Sequence, residues 1–297
     1  MRPRTLALKS YLSLGVMVCA CALMSACGSS SDSCSLFGTC GADDDGGSST
    51  QFRGASACQA IGYADTKKVA NGEQCPVDSA SDSSSVVKLI ISKGNASGVC
   101  TGTVVSPTTI LTAAHCFARG ASSIQIVTTV KGKQTAVAAS SYTIHPQWGI
   151  SNNVMFNDIA VVKSARRLSA PITPILLSRS PAESEDSVVA GYGQTSNEGR
   201  SEANVYAGRA VVDDVSDNHI YIDYTRSQAH PCRGDSGGAL FVANGSGVAI
   251  VGVVSQSDPS IDVEDICEPG DRTLYTNVRD PSVSAFIRGN IRDGSFQ

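Results

Sequence analysis

The chain has 297 residues, 41% of them hydrophobic, which is enough apolar surface for one large domain or two small ones. Its formal net charge of −4 leaves no basic excess to steer it to phosphate backbones, so nucleic acid is not an expected partner. Eleven cysteines are many for a reducing cytosol and ordinary for an exported chain that forms disulfides.

From the start of the chain, Arg2, Arg4 and Lys9 give a positive opening. Tyr11 to Ala26 follows as an apolar run too short and too rich in small residues for a comfortable membrane span. Residues 1–26 therefore read as a signal peptide, with an uncleaved anchor as the alternative. The run ends in Leu23-Met24-Ser25-Ala26-Cys27, which resembles the lipobox of bacterial lipoproteins, where the cysteine is acylated and becomes the mature N-terminus. Met24 departs from the usual leucine, and ordinary cleavage after Ala26 is the competing outcome. Lipidation of Cys27 would attach the protein to a membrane, since each buried CH2 contributes about 0.8 kcal/mol. The expected location is the bacterial cell envelope for a lipoprotein, or the medium for a secreted chain.

From Gly28 to about Gln51 the chain is Gly, Ser and Asp with little that could offset the entropy of ordering, so it reads as a flexible tether. Its acidic triplet, Asp43 to Asp45, lacks the spaced ligands of a calcium loop and reads as a solvated run. Residues 27–68 are taken together as tether and pro-segment. After about Val86 the texture becomes short runs of Val, Ile and Thr broken by Gly, Pro, Asn and Ser. They are Val86–Ile91, Gly102–Val105, Ile124–Val130, Ile159–Val162, Ser187–Ala190, Val211–Val215, Ile220–Tyr224 and Val248–Val254. That spacing predicts an all-β barrel or sandwich. One helix is expected at the C-terminus, where Asp280 caps, Pro281 fits the first turn, and Val283, Phe286, Ile287 and Ile291 form an apolar stripe.

The chemistry is carried by three segments. A serine hydroxyl is a weak nucleophile at neutral pH; acyl transfer needs a base, a group that orients the base, and donors for the oxyanion. In Cys232-Arg233-Gly234-Asp235-Ser236-Gly237-Gly238 the glycines permit a tight backbone that aims successive N–H groups at one point. A glycine-rich turn between strands is the plain alternative. Leu111-Thr112-Ala113-Ala114-His115-Cys116 sets a histidine among small residues that leave its ring open on one side. Asn157-Asp158-Ile159-Ala160-Val161-Val162 places a carboxylate just before a strand, where by itself it would be a simple turn.

Together, in the order His, Asp, Ser, these segments resemble the trypsin/chymotrypsin family; two other serine-protease lineages use different orders. The resemblance implies that His115 is general base and then general acid, that Asp158 fixes its tautomer and that Ser236 attacks. The backbone N–H groups of Gly234 and Ser236 would form the oxyanion hole. It further implies disulfides Cys100–Cys116 beside the base and Cys232–Cys267 behind the substrate pocket, a pocket of His230, Ser255 and Ser257, and Ser255 next to Asp158. Ile144-His145-Pro146 resembles the stretch leading to the triad Asp, which makes His145 scaffold. Gly191-Tyr192-Gly193 resembles the family's Gly-Trp-Gly, and Tyr275-Thr276-Asn277-Val278 its strand before the last helix. The implied fold is all-β, two six-stranded antiparallel barrels with a C-terminal α-helix over residues 69–297, the site lying between the barrels. A cleft of that kind fits an extended peptide, so a serine endopeptidase acting on protein or peptide substrates is expected. A catalytically inactive binding module of the same fold is the alternative.

Lys67-Lys68-Val69-Ala70-Asn71-Gly72 resembles the family's activation site. This implies a zymogen cut after Lys68 by an activating protease, with the new amine of Val69 pairing with Asp235. The sequence also departs from the family. Gln256 stands where a Trp is usual, and His230 stands where trypsins carry the Asp that binds a basic side chain, so a non-basic preference, for neutral or acidic residues, is expected. Cys75 lacks its usual distant partner; Cys58 is the natural substitute, which would tether the pro-segment across the cut, and Cys34 with Cys40 would close a small loop. No cofactor or metal is expected, since His115, His145, His219 and His230 show no zinc spacing.

Overall fold

The computed structural model describes residues 52, 55–65, 67–69, 72–196, 199–224, 229–261, 267 and 270–297. The expected signal peptide, tether, Cys27, Cys34 and Cys40 lie outside the described residues.

A short helix α1 (Ala57–Ala60) precedes a hairpin of β1 (Lys67–Val69) and β2 (Gly72–Cys75). Then come β3 (Val86–Lys93), β4 (Ala96–Ser106), β5 (Thr109–Thr112), a 3-10 turn at His115–Phe117, β6 (Ser123–Val130) and β7 (Lys133–Ile144). A small hairpin of β8 (Gly149–Ser151) and β9 (Val154–Phe156) leads into β10 (Ala160–Ser164). Strands β3 to β7 and β10 close into a six-stranded antiparallel barrel in the order β10-β5-β4-β3-β6-β7. Alternation explains it: in β3, Leu89 and Ile91 are buried while Lys88 and Ile90 are half-buried, and β6 turns Ile124 and Ile126 to the same interior.

The second half contains β11 (Asp186–Gly191), β12 (Val205–Val211), β13 (Asp214–Val215), β14 (His219–Asp223), β15 (Ala239–Asn244), β16 (Gly247–Ser257) and β17 (Arg272–Asn277). They join the first hairpin in a nine-stranded sheet ordered β1-β2-β12-β11-β15-β16-β17-β14-β13. Six successive members, β12 to β14 in that order, match the strand complement of a second barrel; β1–β2 extends one edge and β13 the other. The run expected as a strand at Val211–Val215 straddles the break between β12 and β13. Helix α2 (Pro281–Asn290) ends the fold, and the Asp280 carboxylate accepts from the N–H groups of Ser282 and Val283 at 2.8 and 3.0 Å. Such a cap contributes about 1 kcal/mol, and Val283, Phe286 and Ile287 bury the apolar stripe.

Residues 55–65, expected as part of a pro-segment, are built into this domain. Ser56 and Gln59 form a capping box on α1, and Ala57, Cys58, Ile61 and Tyr63 are buried in one cluster with Cys75, Val188, Tyr192 and Phe241. The Cys58 N–H donates to Glu73 at 3.0 Å, the Ala64 N–H to Asp82 at 2.8 Å, and a disulfide joins Cys58 to Cys75. Residues 55–65 are therefore core-forming, and the compact unit begins well before residue 69.

Candidate active site

The residues expected as base and orienting acid, His115 and Asp158, come from the first barrel. His115 opens the 3-10 turn after β5, and the fully buried Ala113 and Ala114 leave room around its ring. Asp158 stands just before β10 with no exposed surface, behind an Asn157 whose φ of 52° is the left-handed conformation that asparagine tolerates best among residues with a side chain. The two meet at 2.7 Å between His115 Nδ1 and Asp158 Oδ2, and the His115 backbone N–H donates to Oδ1 at 2.8 Å. A carboxylate only accepts, so Nδ1 carries the proton and Nε2 is left as the basic atom.

Two residues of the second sheet hold this acid. Ser255 Oγ donates to Asp158 Oδ2 at 2.6 Å, and Thr276 Oγ1 donates to the Asp158 carbonyl at 3.1 Å. Burial pushes the Asp158 carboxyl up, but the His115 hydrogen bond and charge, with the Ser255 hydroxyl and the His115 amide, outweigh it and hold the pKa below the ordinary value.

Ser236 lies in the turn before β15, anchored to the first barrel through Thr101. The Thr101 N–H donates to the Ser236 carbonyl and its hydroxyl to the Gly234 carbonyl, both at 2.9 Å. Thr101 neighbours Cys100, whose disulfide to Cys116 reaches the residue after His115. The Ser236 turn and His115 are thus tied through Thr101, Cys100 and Cys116. Gly237 has a φ of 82°, and a side chain there would collide with Thr112 and the Thr101 carbonyl, which is why a glycine follows the serine. The expected Cys232–Cys267 disulfide is present on the other side of the turn.

Asp235 points away from Ser236. Its carboxylate accepts from the N–H groups of Gly193 and Cys232 at 2.7 and 2.9 Å, in a cavity of about 410 Å³ that Gly72, Gly191 and His230 also line. Any side chain on Gly193 would collide with that carboxylate. Burial pushes its pKa up to about 6, against the two backbone hydrogen bonds. Lys68 and Val69 lie in β1, where Val69 pairs with Gly72.

A separate cavity of about 320 Å³ is lined by Ser236, Ser255, Ser257, Gln256, Thr273 and Arg233. Ser255 and Ser257, two of the three residues expected in the pocket, line this cavity. His230 is not among its lining residues: the structure turns it to the Asp235 cavity, its ring tilted against Tyr224 at 5.6 Å between centroids. Behind the pocket wall, Ser257 Oγ donates to Asp271 Oδ2 at 2.6 Å, while Asp271 Oδ1 is buried without a partner. Burial raises the Asp271 pKa despite that hydrogen bond. His145, expected as scaffold, is 3% exposed and bonds the Ser282 carbonyl through Nε2 at 3.2 Å. Sequence reasoning gave no role to Thr101, Thr276, His219 or the Gln256 side chain, because each acts through a partner far away in the chain. Among the described residues no cluster of His, Cys, Asp and Glu suits a metal ion, and no helix is long and apolar enough to cross a membrane.

Comparison with known proteins agrees with this geometry. The family described as Trypsin matches residues 70–279. Phenoloxidase-activating factor 3 of Holotrichia diomphalia is 28% identical over 234 residues, covering 65% of this chain and 64% of its own length. Trypsin II-P29 of Gallus gallus is 29% identical, covering 65% of this chain and 80% of its own. Trypsin of Sus scrofa is 24% identical, covering 64% and 85%. The chain thus spans less than two thirds of the first of these relatives. All three are animal proteins and lend no support to a bacterial origin.

Proposed function

Since the chain belongs to the trypsin family, we propose that it is a serine endopeptidase that cuts peptide bonds through an acyl-enzyme on Ser236. The observation that carries this reading is the buried Asp158 held against His115 Nδ1 at 2.7 Å, with the Ser236 turn tied to the same barrel by Thr101.

His115 Nε2 takes the hydroxyl proton as Ser236 Oγ attacks the scissile carbonyl. The oxyanion develops toward the N–H groups of Gly234 and Ser236, where each donor is worth about 3 kcal/mol of barrier. The imidazolium, stabilised by Asp158, returns its proton to the leaving amine, and the chain that carried it departs. Water then attacks the acyl-enzyme with His115 again as base, and Ser236 recovers its proton. A fluorophosphonate probe tests this: it should label the cut protein at Ser236 and fail on Ser236→Ala. No label on correctly folded, cut protein would favour a binding module that kept the fold without the chemistry.

The precursor is a zymogen cut between Lys68 and Val69 by another protease. Support comes from Asp235, whose carboxylate has only neutral backbone donors among the described residues and a pKa raised to about 6 by burial, in a cavity that Gly72 lines. The freed Val69 amine supplies the missing cation. N-terminal sequencing of the active form should read from Val69.

The substrate side chain next to the cut is non-basic. His230 lines the Asp235 cavity and not this one, so its imidazole does not decide the preference. Support comes from Arg233, the one charged side chain among the described residues lining the pocket; a cation there disfavours Lys and Arg. Residues 1–26 direct export, and Cys27 carries lipid that attaches the protein to a membrane.

A further inference from the structure

Tyr63 lies ahead of the expected cut, in the segment that packs into the core, and its backbone is fixed from both sides. Its N–H donates to the Cys58 carbonyl at 3.1 Å, and the next amide, of Ala64, donates to the buried Asp82 at 2.8 Å. Gly62 before it has a φ of 96°, and a side chain there would collide with the Ser83 carbonyl, so the chain turns tightly onto the loop that carries Asp82. The Tyr63 ring is buried and shares its core cluster with Tyr192, which has no exposed surface. The hydroxyls of both tyrosines and of Thr129 are shut away from solvent with no direct hydrogen-bond partner among the described residues. They lie close enough to act on one another. Burial raises the pKa of both tyrosines, the Thr129 and Tyr192 hydroxyls draw that of Tyr63 back down, and Tyr63 pushes that of Tyr192 further up.

The Ser236 turn hangs from Tyr192 and its two neighbours. The Tyr192 N–H donates to Thr101 Oγ1 at 3.0 Å, and that same hydroxyl donates to the Gly234 carbonyl at 2.9 Å. Gly193, which follows, donates its N–H to Asp235 Oδ1 at 2.7 Å. Gly191, which precedes, runs so close to Asp235 that any side chain on it would strike the carboxylate. The Tyr192 carbonyl is engaged as well, accepting from the Glu202 N–H at 3.1 Å. Both residues before Ser236 are thus located by the backbone of residues 191–193, and a close-packed ring of Tyr192 transmits its own placement to that backbone. We propose that Tyr63 is a positioning residue for the Ser236 turn: packed against Tyr192, its ring holds residues 191–193 and, through them, Gly234 and Asp235. The segment ahead of the cut is then a working part of the enzyme and not a piece to be shed. This rests on the protease reading above, in which the N–H groups of Gly234 and Ser236 receive the oxyanion; such donors act only when placed beforehand.

The experiment uses the active form of the full chain, in which the Cys58–Cys75 disulfide keeps the segment in place. Tyr63→Ala should lower kcat about tenfold or more on a peptide and on a single-residue ester alike, with KM changed less than about twofold, because the turn serves the reacting carbonyl. Tyr63→Phe keeps the ring and should recover most of the rate. Where the Ala variant does not fold, Tyr63→Leu takes its place with the same expectation. An unchanged kcat, a loss confined to KM, or a Phe variant as slow as the Ala variant overturns the proposal. Hydrogen exchange at the Gly193 amide reads the brace without reference to activity. It should speed up about tenfold in Tyr63→Ala while the amides of α2 keep their rates. Unchanged exchange at Gly193, or an equal rise in α2, overturns the brace. A parent protein that takes no fluorophosphonate fails as a protease, and the exchange result still decides the brace.

Discussion

Asp235 makes the uncut chain sensitive to pH in a direction opposite to most carboxylates. Burial raises its pKa from an ordinary 3.8 to about 6, so between those values the folded state binds a proton that the unfolded state has released. Stability therefore falls as pH rises through about 4 to 6 and levels off above. At 1.36 kcal/mol per tenfold in affinity, ionising Asp235 costs at most about 3 kcal/mol, and less to the extent that water in the adjoining cavity screens the charge. The assay is urea unfolding of the uncut chain in a Ser236→Ala background, from pH 4 to 7, with and without Asp235→Asn. Asparagine disrupts one backbone hydrogen bond at every pH, so that cost cancels when the two curves are compared across pH. The Asn variant should gain on the parent by up to about 3 kcal/mol between pH 4 and 7. After cleavage at Lys68 the gain should vanish or reverse, because the Val69 ammonium then pairs with the carboxylate. Parallel curves for the uncut pair would refute the reasoning.

Asp158→Asn should lower kcat about 10⁴-fold with the fold intact, because an amide facing Nδ1 favours the wrong tautomer; steady-state kinetics beside a thermal melt checks it, and retention of most activity would remove Asp158 from the mechanism. Matched peptides differing only at the residue before the cut should show no tenfold preference for Arg or Lys. If such a preference appears and Asp271→Asn abolishes it, the carboxylate behind Ser257 is the charge responsible. In its own host, the native protein should fractionate with membranes and Cys27→Ser should be released into the medium; a wholly soluble native protein beginning at an unmodified Cys27 would end the lipid assignment.

What could be read from the sequence was what is local. Ala-Ala-His-Cys, Asn-Asp and Gly-Asp-Ser-Gly-Gly each encode their own turn; the fold then sets His115 against Asp158 at 2.7 Å and ties the Ser236 turn to the same barrel through Thr101. Strand β7 was missed because only Val137 among its twelve residues is buried, so no apolar alternation marks it. The second barrel's strands are legible in part, but the joining of β1 and β2 to its edge depends on pairing with β12, at least 130 residues on. Likewise residues 27–68 read as tether and pro-segment ahead of a domain beginning at 69, whereas a few buried side chains, Cys58, Ile61 and Tyr63, suffice to bind 55–65 into the core. His230 and Gln256 occupy positions where the family pattern sets an expectation. The structure sends the first to a different cavity and gives the second partners that no short-range signal reveals.

The Cys58–Cys75 staple changes what scission accomplishes. Breaking the chain after Lys68 would yield two polypeptides that never part, the shorter kept by a covalent bond as well as by its buried side chains. The new terminus would stay on a leash: β2 keeps its pairing with β12, and Val69 is three residues from Gly72, which already borders the Asp235 cavity. Three residues reach about 10 Å, and an amine confined that closely has an effective concentration of millimolar order or above. Insertion would then be a unimolecular step, indifferent to dilution of the enzyme.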